Sequence, residues 1–276
     1  MNESEKSLPI TIELLNTHGQ QISQFIDRHQ ILFFKKGKKG ILEQFGSGVL
    51  LKIETSYVIA SAAHVTDSIS ELVVPFNDKS FKGIQAKVLA TAIPESGKRA
   101  DDKIDIALLL LSPETALELV PFYSFLEMNR VEVEHSVRLG IINYSIIGTP
   151  SHRTKDDTRS RRVTTDPLVM FMAASEDKVY EKYGLTKEEH IVVDFPKKMN
   201  VSDSDKPQRT TTHPEGISGS GLWFIKLMKT GDNYELDVSL IGIMIEFRDK
   251  YYRVMIATKM DEIINMFACL PDEDKL

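Results

Sequence analysis

One amphipathic stretch followed by many short apolar runs sets the pattern of the chain. Within residues 10–29, Leu15, Ile22, Phe25 and Ile26 share one face at helical spacing, which predicts a helix there. Gly19 weakens that helix by about 1 kcal/mol relative to alanine. The texture then changes to apolar segments separated by polar or glycine-bearing turns. Strands are predicted at 31–36, 48–53, 57–61, 71–75, 85–91 and 104–111, a spacing that suits a closed or sandwiched antiparallel unit. A connector over 112–134 is punctuated by Pro113 and Pro121. A second set of strands is predicted at 137–142, 144–147, 168–174, 190–195, 221–227, 237–246 and 252–258. A helical insertion at 176–183 interrupts this set, and Thr186 with Glu189 has the spacing of a capping box with room for one turn. The last stretch, Met260–Ala268, predicts a closing helix with Ile263, Ile264 and Phe267 on one side. The chain therefore divides into a helical leader (1–30), a first β unit (31–112), the connector (113–134) and a second β unit with its closing helix (135–276).

Composition narrows the class. With 276 residues, 42% hydrophobic and 27% charged, the chain has ordinary globular composition and room for one large domain or two modest ones; disordered, collagen-like and coiled-coil classes are excluded. A net charge of −6 gives no reason to expect a nucleic-acid partner. The single cysteine, Cys269, excludes an internal disulfide and a cysteine-rich zinc site and suits a reducing compartment, so a cytoplasmic protein is expected. Residues 1–9 carry Glu3, Glu5 and Lys6 and lack the pattern of a secretory signal. The most apolar run, 104–111, contains Asp105 and falls far short of the roughly 20 residues that span a bilayer, so no membrane partner is expected. Three polar loops stand out, at 94–103, 149–162 and 197–214. The second sets Arg153, Lys155, Arg159, Arg161 and Arg162 against Asp156 and Asp157, a solvated loop or a contact surface for an anion.

The densest chemical signal lies at 214–223. Three glycines and two serines between Gly216 and Gly221, entering an apolar strand, demand an unusual backbone. Ser218 between Gly216 and Gly219 suits an exposed nucleophile with backbone N–H groups turned toward one point; a plain glycine-serine turn is the other reading. The run also satisfies G-x-S-x-G, the nucleophile elbow of α/β-hydrolases. That elbow needs a histidine after the serine, and none of the seven histidines (His18, His29, His64, His135, His152, His190 and His213) follows Ser218. The strands also lack alternating helices, so the α/β-hydrolase reading is rejected. A histidine before the serine leaves the order His, Asp, Ser. His64 ends Ser61-Ala62-Ala63-His64, where small neighbours let its ring lie in a groove. Asp105 heads an apolar strand, where a buried carboxylate requires a partner. A surface histidine, and an exposed carboxylate equal to Asp101 and Asp102, are the plainer readings.

Together, these motifs resemble those of the trypsin-like (chymotrypsin-fold) serine peptidases, of an intracellular bacterial type without disulfides. The family's Thr-Ala-Ala-His is similar to Ser61-Ala62-Ala63-His64. Its Asp-(Ile/Leu)-Ala-Leu matches Asp105-Ile106-Ala107-Leu108, and its Gly-x-Ser-Gly-Gly resembles Gly216-Ile217-Ser218-Gly219-Ser220. Gly148-Thr149-Pro150 and Ser239-Leu240-Ile241-Gly242-Ile243-Met244 are similar to its barrel opening and its cleft strand. The resemblance runs from about residue 31 to the closing helix. It implies an all-β fold of two six-stranded antiparallel Greek-key barrels, flanked here by an N-terminal and a C-terminal helix. It implies a peptidase acting on a protein or peptide substrate, with His64, Asp105 and Ser218 as catalytic residues and the backbone N–H groups of Gly216 and Ser218 as the oxyanion hole. Thr212, His213, Met244, Ile245 and Phe247 would bind substrate, and no metal or cofactor is implied.

The departures from the family pattern carry information. Ile217 replaces the aspartate that, in many secreted relatives, pairs with a freshly cut N-terminus, so activation by such a cut is not expected. Ser220 replaces the second glycine. Ile245 falls where a serine often supports the buried aspartate, so Asp105 is expected to have one hydrogen bond fewer. Phe247 falls where glycine often opens the specificity pocket and Thr212 at its floor is neutral, so a small or medium neutral P1 side chain is expected. Two other readings stay open. One is a catalytically silent peptide-binding or scaffold module. The other is an enzyme that stays latent until a regulatory protein partner or ligand orders 149–162 and 197–214, with an oxyanion hole collapsed at rest.

Overall fold

The computed structural model describes all residues except 1–11, 38–39, 78–79, 150, 152–153, 158–161, 166–167, 201–207, 211–212, 231–232, 272–274 and 276. Chain order in the first half is α1 (Ile12–Asp27), β1 (Gln30–Lys36), β2 (Leu42–Ile53), β3 (Ser56–Ala62), α2 (Ala63–Thr66), β4 (Leu72–Asn77), β5 (Ser80–Lys82), β6 (Ala86–Ala90), β7 (Ile106–Leu111), α3 (Pro113–Leu119) and β8 (Leu126–Glu127). It continues with β9 (Tyr144–Gly148), β10 (Thr154–Asp157), β11 (Arg162–Thr165), β12 (Leu168–Met172), α4 (Asp177–Tyr183), β13 (His190–Asp194), β14 (Lys198–Asn200), β15 (Gln208–Thr210), β16 (Gly221–Thr230), β17 (Asn233–Arg248), β18 (Val254–Lys259) and α5 (Met260–Ala268). No described helix is long and apolar enough to cross a membrane.

The protein is mostly β, built on two antiparallel sheets. The first has the order β5-β4-β1-β2-β3-β7-β6, and β8 joins β2 in parallel. Strand β7 is buried at every residue, which explains its unbroken apolar run. The second sheet has the order β12-β9-β16-β17-β18-β13. It curls until its ends meet: Ala174, just past β12, bridges Val193, and Ser175 N donates to Val192 O at 2.8 Å. The first sheet thus has eight strands where six were expected.

The patterned elements fall close to their predicted places. Ile22 and Ile26 of α1 are buried, while the side chain of Leu15 falls outside the described residues. Phe25 meets Trp223 of β16 edge-on at 6.0 Å, so the leader helix packs onto the second sheet. Glu189 N donates to Thr186 Oγ1 at 3.3 Å and His190 N to Thr186 O at 3.0 Å, a single turn before β13. Two expectations differ. Residues 137–142 form no strand: Gly140 adopts φ +75°, and Arg138 N donates to the Tyr144 hydroxyl at 2.7 Å instead of to a ladder. The loops at 149–162 and 197–214 contain short hairpins, β10–β11 and β14–β15, whose charged and polar residues carry no apolar alternation.

The connector is tied to the second sheet. Val131 bridges Leu240 of β17, and Glu134 N donates to Asp261 Oδ1 of α5 at 2.9 Å. Glu132 takes His135 Nδ1 at 2.8 Å and Lys226 Nζ at 2.5 Å. These two partners, His135 foremost, hold the Glu132 carboxyl at about 2, below the usual 4.5. A folded-state pKa below the unfolded one stabilises the fold fully above pH 4.5, and that stability is lost as pH falls toward about 2. Glu132→Gln should therefore lower Tm by a few degrees near neutral pH and flatten the fall of Tm between about pH 4.5 and 2. Superimposable Tm–pH curves for the two proteins would contradict this role.

Candidate functional site

His64 stands where β3 turns into α2. Ala62 and Ala63 beside it are fully buried, and small side chains let the chain turn inside the core. Asp105 lies just before β7, the neighbour of β3, and grips His64 twice. Its Oδ1 accepts the His64 backbone N–H at 2.9 Å and its Oδ2 lies 2.6 Å from His64 Nδ1. Asp105 O also accepts from Ala63 N at 2.9 Å. A carboxylate only accepts, so Nδ1 carries a proton, and in the neutral imidazole it is Nε2 that keeps the lone pair. The His64 side chain is 37% exposed against 9% for Asp105, so the imidazole reaches solvent while its anchor does not.

Asp105 adopts φ +42°, a left-handed conformation that non-glycine residues take at a cost of order 1 kcal/mol or more. The surroundings hold it there. Thr258 Oγ1 of β18 donates to Ile104 O at 2.6 Å, and the buried His190 ring sits 2.9 Å from Lys103 O. Arg99 forks onto Asp67 at 2.9 and 3.0 Å, at the end of α2, and reaches Asp102 at 3.0 Å. Asp67 foremost, with Asp102, raises the Arg99 pKa further. The three neighbouring carboxylates therefore separate: Asp101 faces solvent, Asp102 holds the loop, and Asp105 holds His64.

Ser218 sits in a pair of consecutive tight turns. Ile217 N donates to Pro214 O at 3.2 Å and Ser220 N to Ile217 O at 2.9 Å. Each turn has glycine at its third position, Gly216 at φ +92° and Gly219 at φ +88°, as type II geometry requires. Both sheets fasten these turns. From the second sheet, Met244 O accepts from Gly219 N at 2.7 Å and Met244 N donates to Ser220 O at 2.8 Å. From β2, Ser47 N donates to Ser218 O at 2.8 Å, while Ser47 Oγ and Gln44 Nε2 donate to Gly216 O at 3.1 and 3.2 Å. Within the described residues, the N–H groups of Gly216 and Ser218 donate to no protein acceptor.

The same stretch of β2 joins the two halves of the site. Ser61 Oγ, three residues before His64, donates to Ser47 O at 2.7 Å. A Cβ placed on Gly46 would lie 2.6 Å from Val65, next to His64, and 3.3 Å from Ser218 O. His64 and Asp105 are thus in direct contact, and Ser218 is anchored to the strand against which the His64 helix packs. No hydrogen bond joins Ser218 Oγ to His64 among the described residues.

The residues expected to bind substrate separate into two kinds. Met244 and Ile245 are buried, Ile245 at a bulge in β17, and the Met244 N–H and C=O are both taken by the Ser218 turns, so these two residues support the turns rather than present side chains to a ligand. His213 and Phe247 form an aromatic wall beside the Ser218 turns, His213 edge-on to Phe247 at 5.0 Å and Phe247 to Phe195 at 5.2 Å. Thr212 lies outside the described residues. The Asp105 carboxylate accepts from His64 alone among the described residues. No group of three His, Cys, Asp or Glu among them could hold a metal ion. Gln44, Ser47 and Arg99 were not legible as site residues, because each is one polar side chain in a strand or loop that reads as solvated. Compared with protein-family models and with curated proteins, the chain matches none.

The close approach at Gly219 gives a direct test. A Cβ there would stand 1.9 Å from Ser47 O and 2.4 Å from Ser61 Oγ. Gly219→Ala should cost about 2–4 kcal/mol in denaturant unfolding, from overpacking and positive φ together. Gly83→Ala, whose Cβ would meet nothing nearer than 3.9 Å, should stay within about 0.5 kcal/mol of wild type. Equal stability of the two variants would contradict the packing described here.

Proposed function

We propose that the chain is a serine endopeptidase of the trypsin-like kind, its two sheets serving as counterparts of that family's paired barrels, with eight strands in the first and six in the second. The observation that carries this reading is the two-point grip of Asp105 on His64, joined through β2 to a serine held in a turn whose neighbouring N–H groups are unpaired among the described residues. Ser218 Oγ attacks the peptide carbonyl carbon while His64 Nε2 takes the hydroxyl proton. The carbonyl oxygen becomes an oxyanion held by the N–H groups of Gly216 and Ser218. His64 passes its proton to the leaving amine as the C–N bond breaks, leaving an acyl-enzyme on Ser218. Water activated by the same imidazole releases the acid product. Asp105 fixes the tautomer and stabilises the imidazolium.

Substrate selection follows from the aromatic wall. Phe247, backed by Phe195 and by Arg253 at 5.3 Å, narrows the space beside Ser218 to a small or medium neutral P1 side chain. The single cysteine supports a cytoplasmic setting, and the partner is a protein or peptide rather than nucleic acid or membrane.

One observation favours a second reading, a silent peptide-binding module: the missing hydrogen bond between Ser218 and His64. Such bonds are often long in enzymes without substrate and tighten on binding, so the peptidase reading is retained.

Ser218→Ala should abolish hydrolysis of a peptide library while Tm stays within a few degrees of wild type, and Asp105→Asn should lower kcat by about 10⁴-fold. Phe247→Ala should shift cleavage toward larger apolar P1 residues. Hydrolysis by Ser218→Ala at the wild-type rate would overturn the assignment.

A further inference from the structure

A peptide group is planar and trans, so a carbonyl fixed on one side fixes the N–H on the other. This rule applies at each step through the Ser218 turns. Glu215 O accepts from Ser151 N at 2.8 Å, which turns the Gly216 N–H the opposite way. Gly216 O accepts from Gln44 Nε2 and Ser47 Oγ, which fixes the following peptide. Ile217 O accepts from Ser220 N, which turns the Ser218 N–H the opposite way, and Ser218 O accepts from Ser47 N. Gly216 is the freely rotating joint of this segment, and it lies between two anchored peptides. Gln44 is in turn held by Thr149 O, to which its Nε2 donates at 2.5 Å. Gln44 is 7% exposed and Ser47 fully buried, so neither bond competes with bulk water.

We infer that Gln44 and Ser47 are positioning residues: from the first sheet they clamp the Gly216 carbonyl and keep the two N–H groups open, so the intact chain is active without a cut N-terminus or an ordering partner. This rests on the serine-peptidase reading. The position after Gly216 is Ile217, whose apolar side chain is buried and provides no ion pair for the turn. The side-chain hydrogen bonds from β2 supply that restraint instead. Gly216→Ala would not isolate the effect, since its Cβ would lie 3.2 Å from Ser151 N at a positive φ. The clamp can be altered without touching the turn.

The test uses the full chain and a fluorophosphonate probe. In the labelling step Ser218 Oγ forms a bond to phosphorus, the P–F bond breaks, fluoride departs and the hydroxyl proton passes to His64. The rate depends on the oxyanion that develops on phosphorus. Gln44→Ala and Ser47→Ala should each lower the maximal labelling rate by about 10–100-fold, short of the loss of a direct oxyanion donor, with the half-saturating probe concentration within threefold of wild type. Gln44→Glu, which sets a carboxylate against two carbonyl oxygens, should be at least as slow as Gln44→Ala. Tm measured in parallel identifies a variant that fails to fold, and the remaining variants then decide. Wild-type labelling rates in folded Gln44→Ala and Ser47→Ala would overturn the clamp while leaving the peptidase reading intact. Labelling of wild type only after a partner or ligand is added would overturn the claim of unassisted activity. A folded wild type that never labels would overturn the peptidase reading itself.

Discussion

Ser47 makes three hydrogen bonds in three directions, and the candidate site depends on them. Its N–H holds Ser218 O, its hydroxyl holds Gly216 O, and its carbonyl takes Ser61 Oγ from the strand that leads to His64. One fully buried residue of β2 thus sets the distance between the imidazole on one sheet and the serine turn on the other. Gly219 abuts the same carbonyl so closely that no side chain fits. A seam of short polar contacts is a demanding way to join two sheets, because each buried group must find its partner. It also gives more positional precision than apolar contact, which tolerates sliding. A site needs that precision where two sheets must register to within a fraction of an ångström.

The imidazole side of the site is built with similar redundancy. Asp105 holds both the backbone and the ring of His64, so one carboxylate fixes where the residue sits and how its ring is turned. The left-handed backbone at Asp105 is a local cost, borne by the bonds to Lys103 and Ile104 from the second sheet. Arg99 closes the arrangement by bolting the 94–103 loop to the end of α2. The second sheet therefore supplies the serine turns and also braces the aspartate of the first.

Much of this was legible in the sequence, and the rest was hidden for physical reasons. Apolar runs buried on both faces, as in β7, announce themselves, and so does the amphipathic closing helix α5. The 137–142 segment has strand-like residues, yet Gly140 takes a positive φ and the Arg138 N–H goes to the Tyr144 hydroxyl six residues on, which the apolar pattern does not encode. The small hairpins at 154–165 and 198–210 are charged or polar and read as loops. At the site, Gly216 and Gly219 were legible because only glycine suits the turn conformation. Asp105 stood apart from Asp101 and Asp102 by heading an apolar strand and matching the resembled motif, whereas Gln44 and Ser47 precede the strand predicted at 48–53 and carry no local signal. Their role follows from the other sheet lying against them.

The central claim is that Ser218, activated by the Asp105-anchored His64, is a nucleophile, and its most direct test is the site and stoichiometry of covalent modification. The intact chain, treated with excess diisopropyl fluorophosphate, should gain the mass of one diisopropylphosphoryl group, and peptide mapping should place it on Ser218. Adducts spread over several serines, or none on a folded chain, would contradict the account.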